Sequence, residues 1–159
     1  MTNLIFEEEI MKKTLLSAKT IAMVGVSSIK EDVSTNIKRR PSTIVMKYLQ
    51  EFGYRVIPVN PFSAGKKIYG ETVVGKLKDI NVPVDIVDVF RPSEEAVTFA
   101  KQAVEIKAKV FWLQYGIHNL EAKKIIENEN MVYLSNKCIK QEYQKLFLKM
   151  SPVFPALRT

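Results

Sequence analysis

Five short apolar runs recur along the chain: TIAMV over 20–24, RVIPV over 55–59, DIVDVF over 85–90, VFWLQ over 110–114 and MVYL over 131–134. Their apolar positions are continuous rather than alternating, the pattern of strands covered on both faces. The intervening segments carry helix signals. Pro41 occupies a first-turn position ahead of TIVMKYLQEF, and Gly53 stops that helix. Ser93 precedes EEAVTFAKQAVEIK, and Asn119 precedes LEAKKIIENE. A leading helix over about 6–17 and a closing one over about 139–149 complete the layers.

This β-α-β repetition predicts an α/β fold, a Rossmann-like doubly wound parallel sheet of about five strands. Right-handed crossovers give 3-2-1-4-5 as the simplest strand order, with a switch point between the first and fourth strands. Ligands of such sheets bind beyond the carboxyl ends of the strands. The candidate positions are therefore Gly25 to Ser28, Asn60 and Pro61, Phe90 to Pro92, and Gln114 to Asn119. With 159 residues, 47% of them apolar, the chain is expected to form one domain over 1–159. Its core spans about 19–147, with the amino-terminal helix and a short carboxyl-terminal tail outside it.

Charge narrows the partners. A formal charge of +7 favours an anionic one, which nucleic acid, an acidic membrane surface or a phosphorylated small molecule would all satisfy. Lys101, Lys107, Lys123 and Lys124 are scattered through amphipathic segments as a solvated helix face would have them. No aromatic residue sits within a basic run, which weighs against a single-strand stacking groove and against nucleic acid. No stretch reaches the roughly 18 to 20 apolar residues that span a membrane. The start, MTNLIFEEEIMKK, is acidic where a secretory signal is basic, and the single Cys138 cannot form an internal disulfide, so the expected compartment is the cytoplasm.

The candidate chemistry is that of phosphate binding. Gly25 lets the chain turn tightly after the first strand, and Val26, Ser27 and Ser28 follow with amide and hydroxyl donors. The sequence lacks the second glycine of a dinucleotide fingerprint. Asn60 and Pro61 end the second strand, where a nicotinamide-dinucleotide protein places an acid for the ribose hydroxyls. With Lys66 shortly after, this end suits a ribose bearing its own phosphate. Arg40 abuts the helix that begins at Pro41 and Ser42, well placed for a phosphate cluster.

The other candidates are less specific. Phe90 and Arg91 follow the third strand, and Arg91 could equally bind an anion or pair with a neighbouring acid. After the fourth strand Gln114 and Gly116 face the same edge, Gly116 permitting close backbone approach, while Trp112 reads as core. His118 is the only histidine and has no nucleophile or acid assignable to it by spacing. Cys138 reads as a structural thiol, and no metal-ligand spacing is present.

Taken in order, IAMVGVS, RPS, YLQEFGYRVIPVNP, YGE, VDIVDVFRPSE, VFWLQYGIHN and CIKQEY resemble the small stand-alone coenzyme A-binding proteins. That domain is similar to the coenzyme A-binding domain of the succinyl-coenzyme A synthetase alpha chain. The resemblance runs from about Lys19 to about Phe147 and implies coenzyme A at the sheet's carboxyl edge, with nothing firm about catalysis; the first reading is non-catalytic binding of coenzyme A or an acyl-coenzyme A, with a regulatory role open. In this chain 28–39 is longer than the family pattern and reads as an insertion. The alternatives are an NAD(P)-binding oxidoreductase, the coenzyme A-binding subunit of an acyl-coenzyme A ligase that needs a partner chain, and a nucleic-acid binder. A homodimer or a partner protein stays open.

Overall fold

The computed structural model describes residues 2–26 and 41–148. Helix α1 (Thr2–Ser17) leads into strand β1 (Thr20–Val24), and helix α2 (Pro41–Glu51) precedes strand β2 (Arg55–Val59). A small antiparallel hairpin, β3 (Lys67–Ile68) with β4 (Glu71–Thr72), and a 3-10 turn (Leu77–Asp79) lead to β5 (Ile86–Val89). Helix α3 (Ala96–Glu105), β6 (Val110–Leu113), α4 (Leu120–Asn128), β7 (Val132–Leu134) and α5 (Ile139–Tyr143) follow. Beyond α5 a wider helical turn covers Gln144–Leu148.

The main sheet is parallel, with order β2-β1-β5-β6-β7. The α/β doubly wound class is as the apolar pattern predicts, but the order 3-2-1-4-5 is corrected. The third main strand pairs with the first rather than the second, giving 2-1-3-4-5. The switch point accordingly lies between β1 and β5 instead of between the first and fourth strands.

Pro58 supplies one physical reason. The N–H of Val74 donates to its carbonyl at 3.0 Å, so this residue faces the outer side of β2. A proline there has no N–H to give a further strand, which confines β2 to an edge. Asp85 supplies another. Its Oδ2 accepts from the backbone N–H groups of Lys19 at 2.8 Å and Thr20 at 3.0 Å, fixing the start of β1 beside that of β5.

Side chains of period two divide the core. Ile21, Met23, Ile86, Val110, Trp112 and Leu134 face Met11 and Leu15 of α1, Val45, Met46 and Leu49 of α2, and Ile139 of α5. Ala22, Val24, Val87, Val89, Phe111 and Leu113 face Leu77 and helices α3 and α4. Covering both faces explains why the strands read as unbroken apolar runs. On α3 the buried residues are Ala96, Ala100 and Ala103, a small-residue stripe that lets the helix lie close to the sheet. Trp112 is wholly buried and its indole N–H donates to the carbonyl of Lys137 at 2.8 Å, a core role as expected.

Candidate functional site

The carboxyl ends of β2, β1, β5 and β6 are tied to one another by hydrogen bonds that run across the sheet. The Gly25 N–H donates to Val59 O and the Phe90 N–H to Val24 O, both at 2.9 Å, and the Gln114 N–H reaches Val89 O at 3.3 Å. The endings of all four strands thus form one rim, as a binding edge requires.

Gly25 sits in the left-handed region with φ of 93°. A Cβ there would stand 2.9 Å from Cδ of Arg91 and 3.0 Å from the carbonyl oxygen of Phe90. The glycine is therefore demanded twice, by conformation and by the close approach of the chain leaving β5. Val26 follows, wholly buried. Ser27, Ser28, Arg40 and the inserted stretch 28–39 lie outside the described residues.

Asn60 is a strut. Its Nδ2 donates to Val26 O at 2.9 Å, and its Oδ1 accepts the N–H of Phe62 at 2.9 Å. One end of the amide thus locks the turn after β1 to the end of β2, and the other shapes the chain past Pro61. A carboxylate at position 60 could not donate to the Val26 carbonyl. This local requirement accounts for the missing acid at the end of β2 without reference to a ligand phosphate.

Arg91 is paired. Its Nε and Nη2 donate to the two carboxylate oxygens of Glu95 at 2.9 and 2.7 Å, one helical turn on. These hydrogen bonds raise the guanidinium pKa above its ordinary value and lower that of the Glu95 carboxyl. The pair with an acid is one of the two roles open to Arg91 in the sequence, and it lies within contact of the Gly25 turn. Phe90 is half-buried and packs against the core.

Gln114 directly follows β6 with 5% of its surface exposed, and its Nε2 donates to Oδ1 of Asp88 at 2.6 Å. Asp88 lies in β5 in register with Met23 of β1 and Trp112 of β6, on the α1, α2 and α5 side, and is 0% exposed. Burial pushes its carboxyl up to about 8, the Gln114 amide opposing only in part. Its Oδ2 has no hydrogen-bond partner. The acid inside the apolar run DIVDVF is the signal by which sequence reasoning could have found this group.

Ser42, in the first turn of α2, is buried, and Pro41 beside it is exposed. Gly116 has φ of 85° and open space where a Cβ would be, while its N–H donates to Oδ1 of Asn136 at 2.7 Å, toward the β7 side of the rim. Lys66 is exposed on the lead into the hairpin, its backbone held by Ser63 and Val73. Nearer the rim the sequence reading passed over Phe62, 93% exposed just beyond the Asn60 strut. His118 is exposed, its backbone N–H donating to Oγ of Ser93 at 3.1 Å. Cys138 is half-buried against the core and reduced. Among the described residues no cluster of ligating side chains could hold a metal ion, and no helix is long and apolar enough to cross a membrane.

Comparison with known proteins places this rim in a family. YneT, an uncharacterised protein of Bacillus subtilis (strain 168), is 37% identical over 129 residues, covering 81% of this chain and 88% of its own length. A solved Thermus thermophilus structure, cell-free ID.343, superposes with a TM-score of 0.78 at 35% identity, covering 88% of this chain and 98% of that one. The fold is also that of part of a dinucleotide-forming acetyl-coenzyme A synthetase from Ca. Korarchaeum cryptofilum, with TM-score 0.60 and 21% identity over 78% of this chain and 27% of the synthetase. The family model described as "CoA binding domain" matches residues 19–144, from the threshold of β1 to the wide turn after α5, and to that family the chain belongs.

Proposed function

We propose that the protein binds coenzyme A or an acyl-coenzyme A at the carboxyl rim between β1 and β5, in a binding role to which no catalytic step is assigned. The observation that carries this reading is the coenzyme A-binding family match across residues 19–144, which takes in all five strands of the sheet and every described rim residue. The rim supports it physically. It has a tight glycine turn after β1, the start of α2 with Pro41 and Ser42, and Lys66 on the β2 side, where an extra ribose phosphate would meet a cation.

The nicotinamide alternative loses ground here, because Asn60 is committed to Val26 O and Phe62 N–H and leaves no acid for ribose hydroxyls. Calorimetric titration tests the reading. Coenzyme A is expected to bind in the micromolar range and NADH not to. Coenzyme A is also expected to bind about ten to a hundred times more tightly than dephospho-coenzyme A, the worth of one charge-assisted contact. Micromolar binding of NADH with none of coenzyme A would overturn it.

A further inference from the structure

Three loops of the rim converge on one ion pair. The aliphatic stem of Arg91 lies against the turn after β1, since a Cβ at Gly25 would stand 2.9 Å from its Cδ and 3.2 Å from its Cγ. Its guanidinium makes a two-pronged bond to Glu95, Nε to Oε1 at 2.9 Å and Nη2 to Oε2 at 2.7 Å. The backbone beneath Glu95 is held independently of that pair. Ser93 Oγ accepts the His118 N–H at 3.1 Å, Ser93 O accepts from Asn119 Nδ2 at 3.0 Å, and the Glu95 N–H donates to Pro92 O at 2.9 Å. The cation is thus kept beside the glycine turn by a carboxylate whose own backbone is fixed.

Such a pair is suited to exchange. The fork of an arginine fits a carboxylate and a phosphate alike, through the same two parallel N–H donors. The two side chains are 45% and 39% exposed, so water screens their attraction, and a pair of this kind shifts an equilibrium by at most about five-fold. Glu95 also loses little on release. It stands at the amino-terminal boundary of α3, where the helix dipole favours a negative charge. A diphosphate carries more negative charge than a carboxylate and is the stronger claimant for the fork.

We propose that Glu95 is a built-in competitor for the ligand's diphosphate: it holds Arg91 beside the Gly25 turn until the diphosphate displaces it, and the guanidinium passes from carboxylate to phosphate. The two roles that the sequence leaves open to Arg91, acid pair and anion site, are then successive states of one residue. The consequence is a threshold, because a neutral group or a weak anion does not break the pair. The inference rests on the coenzyme A reading and adds how that site is kept from weaker anions.

Calorimetric titration with coenzyme A tests the exchange. Glu95→Gln is expected to tighten binding about four-fold, and Arg91→Met, which keeps an apolar stem and removes the charge, to weaken it about ten-fold. In the Arg91→Met chain, Glu95→Gln should add less than about two-fold, because the competitor has lost its object. Glu94→Gln makes the same change of net charge on an exposed neighbour and should leave affinity within about two-fold. Dephospho-coenzyme A keeps the diphosphate and should gain from Glu95→Gln by the same factor as coenzyme A. In the parent, the Nε–H proton resonance of Arg91, assigned by its loss in Arg91→Lys, should shift as coenzyme A saturates the protein. That resonance and Glu95→Gln decide the matter even where Arg91→Met fails to fold.

An unaltered affinity in Glu95→Gln, an equal gain from Glu94→Gln, a gain that persists in the Arg91→Met chain, or an Arg91 resonance that coenzyme A does not move would each overturn the proposal, with the coenzyme A reading left standing. So would a gain confined to coenzyme A, which would make the ribose phosphate the exchanging group. A parent protein that binds neither ligand would remove that reading and this inference together.

Discussion

Replacing Asp88 by asparagine should stabilise the protein, by an amount that depends on pH in a defined way. In the folded chain burial pushes this carboxyl up to about 8 from an ordinary 3.8. A raised carboxyl takes up protons on folding, so its contribution is nil below about pH 4, where both states are protonated, and becomes increasingly unfavourable up to about pH 8. Above that it is constant. At pH 7 the difference of roughly three units, at about 1.4 kcal/mol each, gives an upper bound of about 4 kcal/mol. Relaxation and water entry reduce this, and about 2 kcal/mol is the working expectation. For a chain of this length that is a melting-temperature rise of roughly 4 to 8 °C.

Asparagine keeps the shape and the acceptor for Gln114 but cannot ionise. Calorimetric melting of both proteins from pH 4.5 to 9 cancels every other titrating group in the difference. The gap should be small at pH 4.5, widen to about pH 8 and then level. A gap that is the same at every pH, or one that narrows as pH rises, would refute the reasoning.

Three further outcomes follow from the rim. Gly25→Ala should cost about 1 to 3 kcal/mol in denaturant unfolding, from the positive φ and the encroachment on Arg91 and Phe90 O, and Arg91→Ala in the same chain should recover only part of it, because the carbonyl and the φ remain. Asn60→Asp should cost about 1 to 3 kcal/mol in the same assay with no ligand present, since Val26 O loses its donor and gains a facing carboxylate oxygen; unchanged stability would remove the strut. Glu95→Gln should change stability by less than about 1 kcal/mol, as an exposed pair does, yet raise coenzyme A affinity a few-fold by freeing Arg91; an unaltered affinity would place that guanidinium out of the ligand's reach.

The fold was legible where one rule governed many residues. Strands buried on both faces write themselves as TIAMV, DIVDVF and VFWLQ, and the Asn119 cap, whose Oδ1 accepts from the Ala122 N–H at 2.8 Å, marked the start of α4. Strand order was less legible, because two orders satisfy the same crossover handedness and only two single residues, Pro58 and Asp85, distinguish them. The β3–β4 hairpin was missed for want of length, since two-residue strands carry no periodicity.

At the site the strand ends brought Gly25, Val26, Asn60, Phe90, Arg91 and Gln114 to one rim as the sequence implied. Roles were harder to read than places. Asn60 looked like an accommodation to ligand charge, and its structural bond to Val26 O could not be read beforehand, because that partner is 34 residues away in the chain. Asp88 escaped notice for a similar reason. Its meaning depends on Gln114 in the neighbouring strand, a pairing that neither residue announces alone.

The outer flank of β2 also bears on how copies of this molecule meet. Exposed strand edges are templates for runaway association, since their free N–H and C=O groups accept any incoming extended chain. Here that flank offers no N–H at Pro58, and Val74 already occupies both the Pro58 carbonyl, at 3.0 Å, and the Asn60 amide, at 2.9 Å. An arriving strand would find the central part of the ladder filled. At the opposite flank β7 has only three residues, too few to hold a partner by backbone pairing alone. Both margins of the sheet thus offer an arriving strand little to pair with, which disfavours lengthening of the sheet by a second copy.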